Sequence, residues 1–227
     1  MISHTKRLYA FGGHFLLSLL FIVFVAAFAL LLWFPSPFFY LDGTLTAIII
    51  IASVDLVLGP LITLVIAAPT KSKQQIIKDM AVVIAVQLIA LAYGVQLIYE
   101  QRIVAIVANT GVFHLVSSKD VSKHVANLDQ LSHLPNYKGV YYGQVTDQSL
   151  TDNYGDGKLQ QLYNPALFRP LGDNLKYMTI PDDKLPKDLN RYSQNRQFAI
   201  VIGKGKNGLA VINKDNNQIE LITLLPK

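Results

Sequence analysis

Cysteine is absent from the 227 residues. That excludes structural disulfides, thiolate metal sites and cysteine nucleophiles, and it leaves the compartment open. Charge is scarce: 15% of residues are charged, against about 25% in an ordinary soluble domain. The shortage is local. Residues 1–100 hold only Lys6, Arg7, Asp42, Asp55, Lys71, Lys73, Lys78, Asp79 and Glu100, and the other 26 of 35 charges lie in residues 101–227. With 52% hydrophobic residues, this excludes both a wholly soluble fold and a disordered chain. The net charge of +5 is spread among acids rather than massed. No arginine-rich stripe or nucleic-acid motif occurs, so no nucleic-acid partner is expected.

What is present is three long apolar runs. A bilayer core of about 30 Å needs about 20 residues at 1.5 Å rise. Gly12–Phe34, Thr44–Ala68 and Met80–Tyr99 each meet that length. The chain therefore divides into a membrane domain, residues 1–100 with spans at about 12–34, 44–68 and 80–99, and a C-terminal domain, residues 101–227. Lys6 and Arg7 precede the first run, and Lys71, Lys73 and Lys78 fill the second loop. The first loop, Pro35–Gly43, has no Lys or Arg. Positive charge stays cytoplasmic, so the N-terminus is expected inside and the C-terminal domain outside, which in a bacterium is the periplasm. Trp33, Phe34, Phe38, Phe39 and Tyr40 then read as an outer aromatic belt, with Tyr99 level with them. Ala27-Phe28-Ala29 fits a signal-peptide cleavage site, but Leu30–Phe34 continues the apolar run without a polar break, so an uncleaved anchor is expected. No prepilin leader is read either, because its defining acid is missing after Gly13.

Asp55 lies in the middle of the second run. A carboxylate at that depth costs roughly 3 kcal/mol to insert and should face protein or water. It stands eleven residues, about 16 Å, below the outer end of its helix, and Gln87 stands about 18 Å below the outer end of the third. An Asp55–Gln87 hydrogen bond between the two helices is the first structural expectation, with Tyr93 a second candidate. His14, near the cytoplasmic end of the first run, is read as too deep to reach Asp55 and as snorkelling to the interface. Gly59 permits close helix approach, and Pro60 predicts a kink one turn from the acid. Asp55, Gly59, Thr63 and Ile66 share one face, which should meet the third span or a transmembrane partner. Three roles stay open for Asp55: a hydrogen bond that fixes helix packing, a docking point for another protein's helix, or proton chemistry. A homo-oligomer is compatible with the same face.

Residues 101–227 read as a small α+β domain with an antiparallel or mixed sheet. Strands are expected at Ile103–Ala108, Val112–Val116 and Tyr137–Thr146. Three more are expected at Gln197–Ile202, Leu209–Asn213 and Gln218–Leu224, joined by hairpin chemistry. Apolar spacing predicts a helix over residues 119–134. Residues 147–190 read as a long excursion, with some helix around Leu159–Tyr163. Gly203-Lys204-Gly205-Lys206-Asn207-Gly208 lacks the P-loop pattern and context and reads as a hairpin turn. His114, His124 and His133 are wrongly spaced for a metal pair on one helix face. Asp182-Asp183 reads as a solvated loop. No catalytic residue, cofactor or metal is expected.

The stretch Val54-Asp55-Leu56-Val57-Leu58-Gly59-Pro60-Leu61-Ile62-Thr63-Leu64 resembles the TfpX/TfpZ family of type IV pilin accessory proteins. So do the run from Lys78-Asp79 through Gln87, Ala90, Leu91, Tyr93 and Gly94 to Tyr99, and the start Ala10-Phe11-Gly12-Gly13-His14-Phe15-Leu16. The resemblance covers roughly residues 8–108. It implies a bacterial inner-membrane protein that supports pilus assembly and twitching motility, without enzymatic activity or cofactor. Its partners would be type IV pilin or assembly-platform proteins. The alternative reading is a pilin-modifying, glycosylation-type membrane enzyme, against which stand the small number of spans and the missing acidic motifs.

Overall fold

A computed structural model describes residues 4–66, 71–109, 111–124, 127–145, 163–172 and 195–225. The chain forms two compact units: residues 1–32 with 45–99, and residues 33–44 with 100–227.

The first unit holds three helices: α1 (His4–Phe28, extended by a π turn over Ala29–Trp33), α3 (Thr44–Ile66) and α4 (Lys73–Gln101). Each is long and apolar enough to cross a membrane, over Phe11–Trp33, Thr44–Ile66 and Gln74–Gln101. The protein is a multi-pass membrane protein. Most of these side chains are exposed, such as Leu16 at 65% and Ile89 at 71%. That is the surface lipid covers. The helices converge on an apolar layer with three alanines in it. Ile22, Ala26 and Ala29 of α1 meet Ile48, Ile51 and Ala52 of α3 and Leu91, Val95 and Ile98 of α4. A Cβ on Gly94 would come within 3.2 Å of Ile51, so the glycine sets the close approach of α3 and α4.

The second unit is a mixed sheet. Its strands are β1 (Ile103–Asn109), β2 (Val112–Ser117), β3 (Asn136–Tyr137), β4 (Val140–Val145), β5 (Phe168–Arg169), β6 (Arg196–Ile202), β7 (Gly208–Asn213) and β8 (Ile219–Leu224). The order is β3-β4-β1-β2-β6-β7-β8, with β5 on β4. β1 runs parallel to β4 and β2 parallel to β6, and the other pairs are antiparallel. β1 is buried along its whole length, as an apolar run in the middle of a covered sheet should be. A register shift between Ile103 and Ala105 makes Val104 and Ala105 face the same core, with Val107. Ile103, Ile106 and Ala108 face the other.

Three expectations change here. The helix expected over residues 119–134 is instead a short α5 (Ser118–Ser122) and a separate 3-10 turn, Leu128–Leu131. Asn127 has extended backbone (φ −135°, ψ 135°), and its side chain caps the second turn through the amide of Asp129, so the chain restarts there. Val121, Leu131 and Leu134 are nonetheless buried, as their spacing implied. The single strand expected from Tyr137 is a hairpin: Lys138 (φ 51°) and Gly139 (φ 81°) turn β3 into β4. Of the excursion, residues 163–172 are described and form a 3-10 turn (Pro165–Leu167) and β5. Most of it, including Asp182-Asp183 and residues 159–162, lies outside the described residues.

The largest correction concerns the first loop. Phe34, Phe38 and Leu41 are completely buried. Phe38 and Leu41 sit in one core with Ile106, Phe113, Ala199, Val201, Ala210 and Ile222 of the sheet. They belong to a one-turn helix α2 (Phe38–Asp42) that ends on Gly43 at φ 81°. The β6–β7 turn seats it. The amide of Gly205 donates to the carbonyl of Leu41 at 2.8 Å. A Cβ on Gly203 would strike that carbonyl, and one on Gly205 would lie 2.6 Å from the carbonyl of Tyr40. The lysine-glycine turn thus satisfies an orphan carbonyl, that of Leu41, at a helix C-terminus. Asp42 is partly covered: burial raises its carboxyl above the ordinary 3.8, while Lys204 and the Thr44 hydroxyl (3.1 Å) pull it back. Two of the residues read as an aromatic belt, Phe34 and Phe38, are therefore core residues.

Candidate functional site

The helical unit does not close at the N-terminal halves of α1 and α4. There α1, α3 and α4 leave a cavity of about 570 Å³. It is lined by Tyr9, His14, Ser18, Asp55, Gln87 and apolar side chains such as Phe21 and Leu91. It thus brings together polar side chains from all three spans: His14 and Ser18, Asp55, and Gln87.

α3 supplies the acid. Asp55 and Gln87 of α4 share a side-chain hydrogen bond. One turn on, Gly59 is buried, and a Cβ there would collide with the Gln87 amide, its Cδ lying 3.0 Å away. The glycine therefore lets Gln87 pass across α3 to the carboxyl group. Pro60, also buried, lies inside α3 without ending it.

α1 supplies the base. Thr63, fully buried, donates its hydroxyl proton to the Gly59 carbonyl at 3.0 Å. Its single proton being used there, it must accept from the Nδ1–H of His14 at 2.5 Å. Hydrogen-bond accounting thus places a proton on Nδ1 and leaves Nε2 to face other groups. The ring is also close enough to Asp55 for an electrostatic interaction. His14 is accordingly not a snorkelling interface residue. It bonds α3 two turns from Asp55 and lines the same cavity.

Of the residues singled out in the sequence, Asp55, Gly59, Thr63 and Gln87 come together, and Pro60 lies buried beside Gly59 within α3. The face they share meets both neighbours, α4 through Gly59 and α1 through Thr63. Tyr93 stands apart: it is 66% exposed and does not line the cavity. Ser18 and Tyr9 were not anticipated. A sign was available, since His14 and Ser18, four residues apart, are the hydrogen-bonding side chains of a span that is otherwise apolar apart from Trp33. No group of three His, Asp or Glu side chains suited to a metal occurs among the described residues. Chemically, the arrangement offers a hydrogen-bonded acid and an imidazole inside an apolar cavity. It can hold a polar or cationic group that would otherwise be stranded in lipid.

Comparison with known proteins gives relatives of one kind. Over 132 residues, 58% of this chain, it is 33% identical to "Fimbrial assembly protein, serogroup E1" of Dichelobacter nodosus, covering 49% of that protein. The serogroup I protein of the same organism matches with the same identity and coverage. Over 120 residues, 53% of this chain, it is 35% identical to "Fimbrial assembly protein, serogroups C1 and C2", covering 88% of it. The chain thus spans about half the length of two of these curated relatives and most of the third. No family model matches it, and no solved structure does. By its identity to the serogroup C1 and C2 protein over nearly all of that protein's length, the chain belongs to the family of these fimbrial assembly proteins.

Proposed function

We propose that this protein is a bacterial inner-membrane accessory factor of type IV pilus assembly, of the TfpX/TfpZ kind. It acts by contact rather than by chemistry of its own. The contact is made with a pilin or an assembly-platform protein, and twitching motility depends on it. The observation that carries this reading is the cavity that places Asp55, Gln87 and His14 together among apolar helix surfaces. A transmembrane helix of the partner would bring a hydrogen-bonding or cationic group to Asp55 and lay its apolar face along α1 and α4. The sheet domain would hold the partner's water-exposed part. Two weak contacts on one chain act together through effective concentration.

The relatives' description as fimbrial assembly proteins supports the pathway. The basic N-terminus and second loop support a cytoplasmic N-terminus. Packing of residues 33–44 with residues 100–227 supports the three crossings. That loop and that domain must share one side of the membrane, which requires an even number of spans between them, and α3 and α4 are two.

The test is site-directed photocrosslinking in cells from position 55 and from β8, read for pilin and platform adducts, beside a deletion strain. Adducts at both positions, with lost surface pili in the deletion, support the reading. Normal piliation in the deletion, without adducts, rejects it. Asp55→Leu should reduce pili with protein abundance retained.

A further inference from the structure

The sheet unit carries a surface whose neighbour is dictated by chain connectivity. The β6–β7 turn touches Gly43, the residue before α3 begins: a Cβ on Gly205 would lie 2.7 Å from the Gly43 nitrogen. Lys204 and Lys206 flank that contact, and both are exposed. Lys204 interacts with Asp42 and the Lys206 ammonium lies over the Tyr40 ring, so both charges are held beside the segment that leads directly into the second span. Lys138 is held in the same way beside the segment that follows the first span. Its Nζ donates to the carbonyl of Ser36 at 2.9 Å, three residues after Trp33 ends that span.

The apolar members of the surface are equally placed. Ile202, 42% exposed, is the large exposed hydrophobic residue of residues 103–225 among those described, and it directly precedes Gly203-Lys204. Tyr40 is 37% exposed, and the Lys206 ammonium lies 5.6 Å from its ring centroid. Lysines beside an aromatic and an aliphatic side chain, at the mouth of a span, match the composition of an interfacial anchor. Lys206 and Lys138 have no carboxylate partner among the described residues. Lys204 is offset in part by two carboxylates, Asp42 and Asp120.

We propose that Lys138, Lys204 and Lys206, with Tyr40 and Ile202, form a binding surface for the phosphodiester headgroups of anionic phospholipids in the adjacent leaflet. The surface fixes the tilt of the sheet unit on the membrane. The proposal is independent of the pilus reading, since it requires only that α1 and α3 cross a bilayer.

Trp33 is the sole tryptophan and lies at this end of α1, so its fluorescence reports the lipid selected there. The full chain is reconstituted in vesicles of phosphatidylcholine and phosphatidylglycerol, with one or the other brominated. Wild-type Trp33 should be quenched preferentially by the brominated phosphatidylglycerol. One lysine near a membrane surface favours an anionic lipid roughly fivefold. The preference should fall toward one in Lys138→Gln/Lys204→Gln/Lys206→Gln and persist in the triple Arg variant, which separates charge from disturbed folding. A wild-type ratio of one overturns the proposal and leaves these lysines to a protein partner. A preference that survives the triple Gln variant, or is lost equally in the Arg variant, also overturns it.

Discussion

Gly59→Ala is the sharpest test of the intramembrane site. The added methyl group meets the Gln87 amide, whose Oε1 would lie 3.3 Å away and whose Cδ 3.0 Å. The obstacle is the free end of a flexible side chain, so the helices need not separate. Gln87 swings aside and its hydrogen bond to Asp55 is lost. Hydrogen bonds between membrane helices contribute about 0.6 kcal/mol on average and up to about 1.7. A loss of about 1 kcal/mol corresponds to about 2–4 °C in thermal midpoint for a chain of this size. The assay is thermal unfolding of the detergent-purified full chain, followed by fluorescence-detected size exclusion. The design is a cycle of Gly59→Ala, Gln87→Ala and the double variant. With the Gln87 side chain removed, the methyl has nothing to strike, so Gly59→Ala should cost almost nothing in the Gln87→Ala background. Equal costs in both backgrounds would refute the claim that Gly59 is there to let Gln87 reach Asp55.

Other outcomes follow from the same geometry. Leu41→Ala should destabilise the sheet unit by about 2–5 kcal/mol, as for buried leucines in general, and expose it to limited proteolysis. Tyr40→Ala, at a more exposed position, should not. His14→Phe should leave Thr63 without its donor and lower the thermal midpoint, with Thr63→Val adding little to it; independent, additive losses would show that the two residues do not interact. His114, partly buried in β2, is held below its ordinary 6.5 by burial. The unfolded chain therefore takes up the proton first. Its contribution to stability is intact above pH 6.5 and is lost as pH falls through 6.5 toward the depressed value. The midpoint drop between pH 7.5 and 5.5 should shrink in His114→Gln, and an unchanged drop would contradict this.

Much of this was legible because length and depth are one-dimensional quantities. Three apolar runs gave three helices. Counting residues from the helix ends placed Asp55 level with Gln87 without any knowledge of packing. The terminal strands followed from alternation between turn residues. What failed depended on which surface a residue type meets. Phe34 and Phe38 look the same in a sequence whether they enter a lipid interface or a protein core. Only the glycines of the β6–β7 turn, read as hairpin chemistry alone, could have hinted at a second backbone lying against it. The depth count placed His14 well below Asp55, and its partner is indeed Thr63, two turns further along α3; what the count could not show is that α1 turns this side chain toward α3 rather than out to the interface. The continuous helix over residues 119–134 was undone by Asn127, whose capping outweighed a periodicity that remained right about burial.

The passage of α2 into the sheet makes the water-exposed unit a mosaic of two stretches that leave the ribosome far apart. Residues 33–44 emerge first, and residues 45–99 must be made before the strands that will enclose Phe38 and Leu41 exist. Until then those side chains wait as a greasy plug without a socket, next to the bilayer. A soluble tail cut at residue 101 inherits the opposite defect, a socket without its plug. Biochemistry on this tail should therefore supply the missing twelve residues, by grafting them or by keeping the first two spans in place.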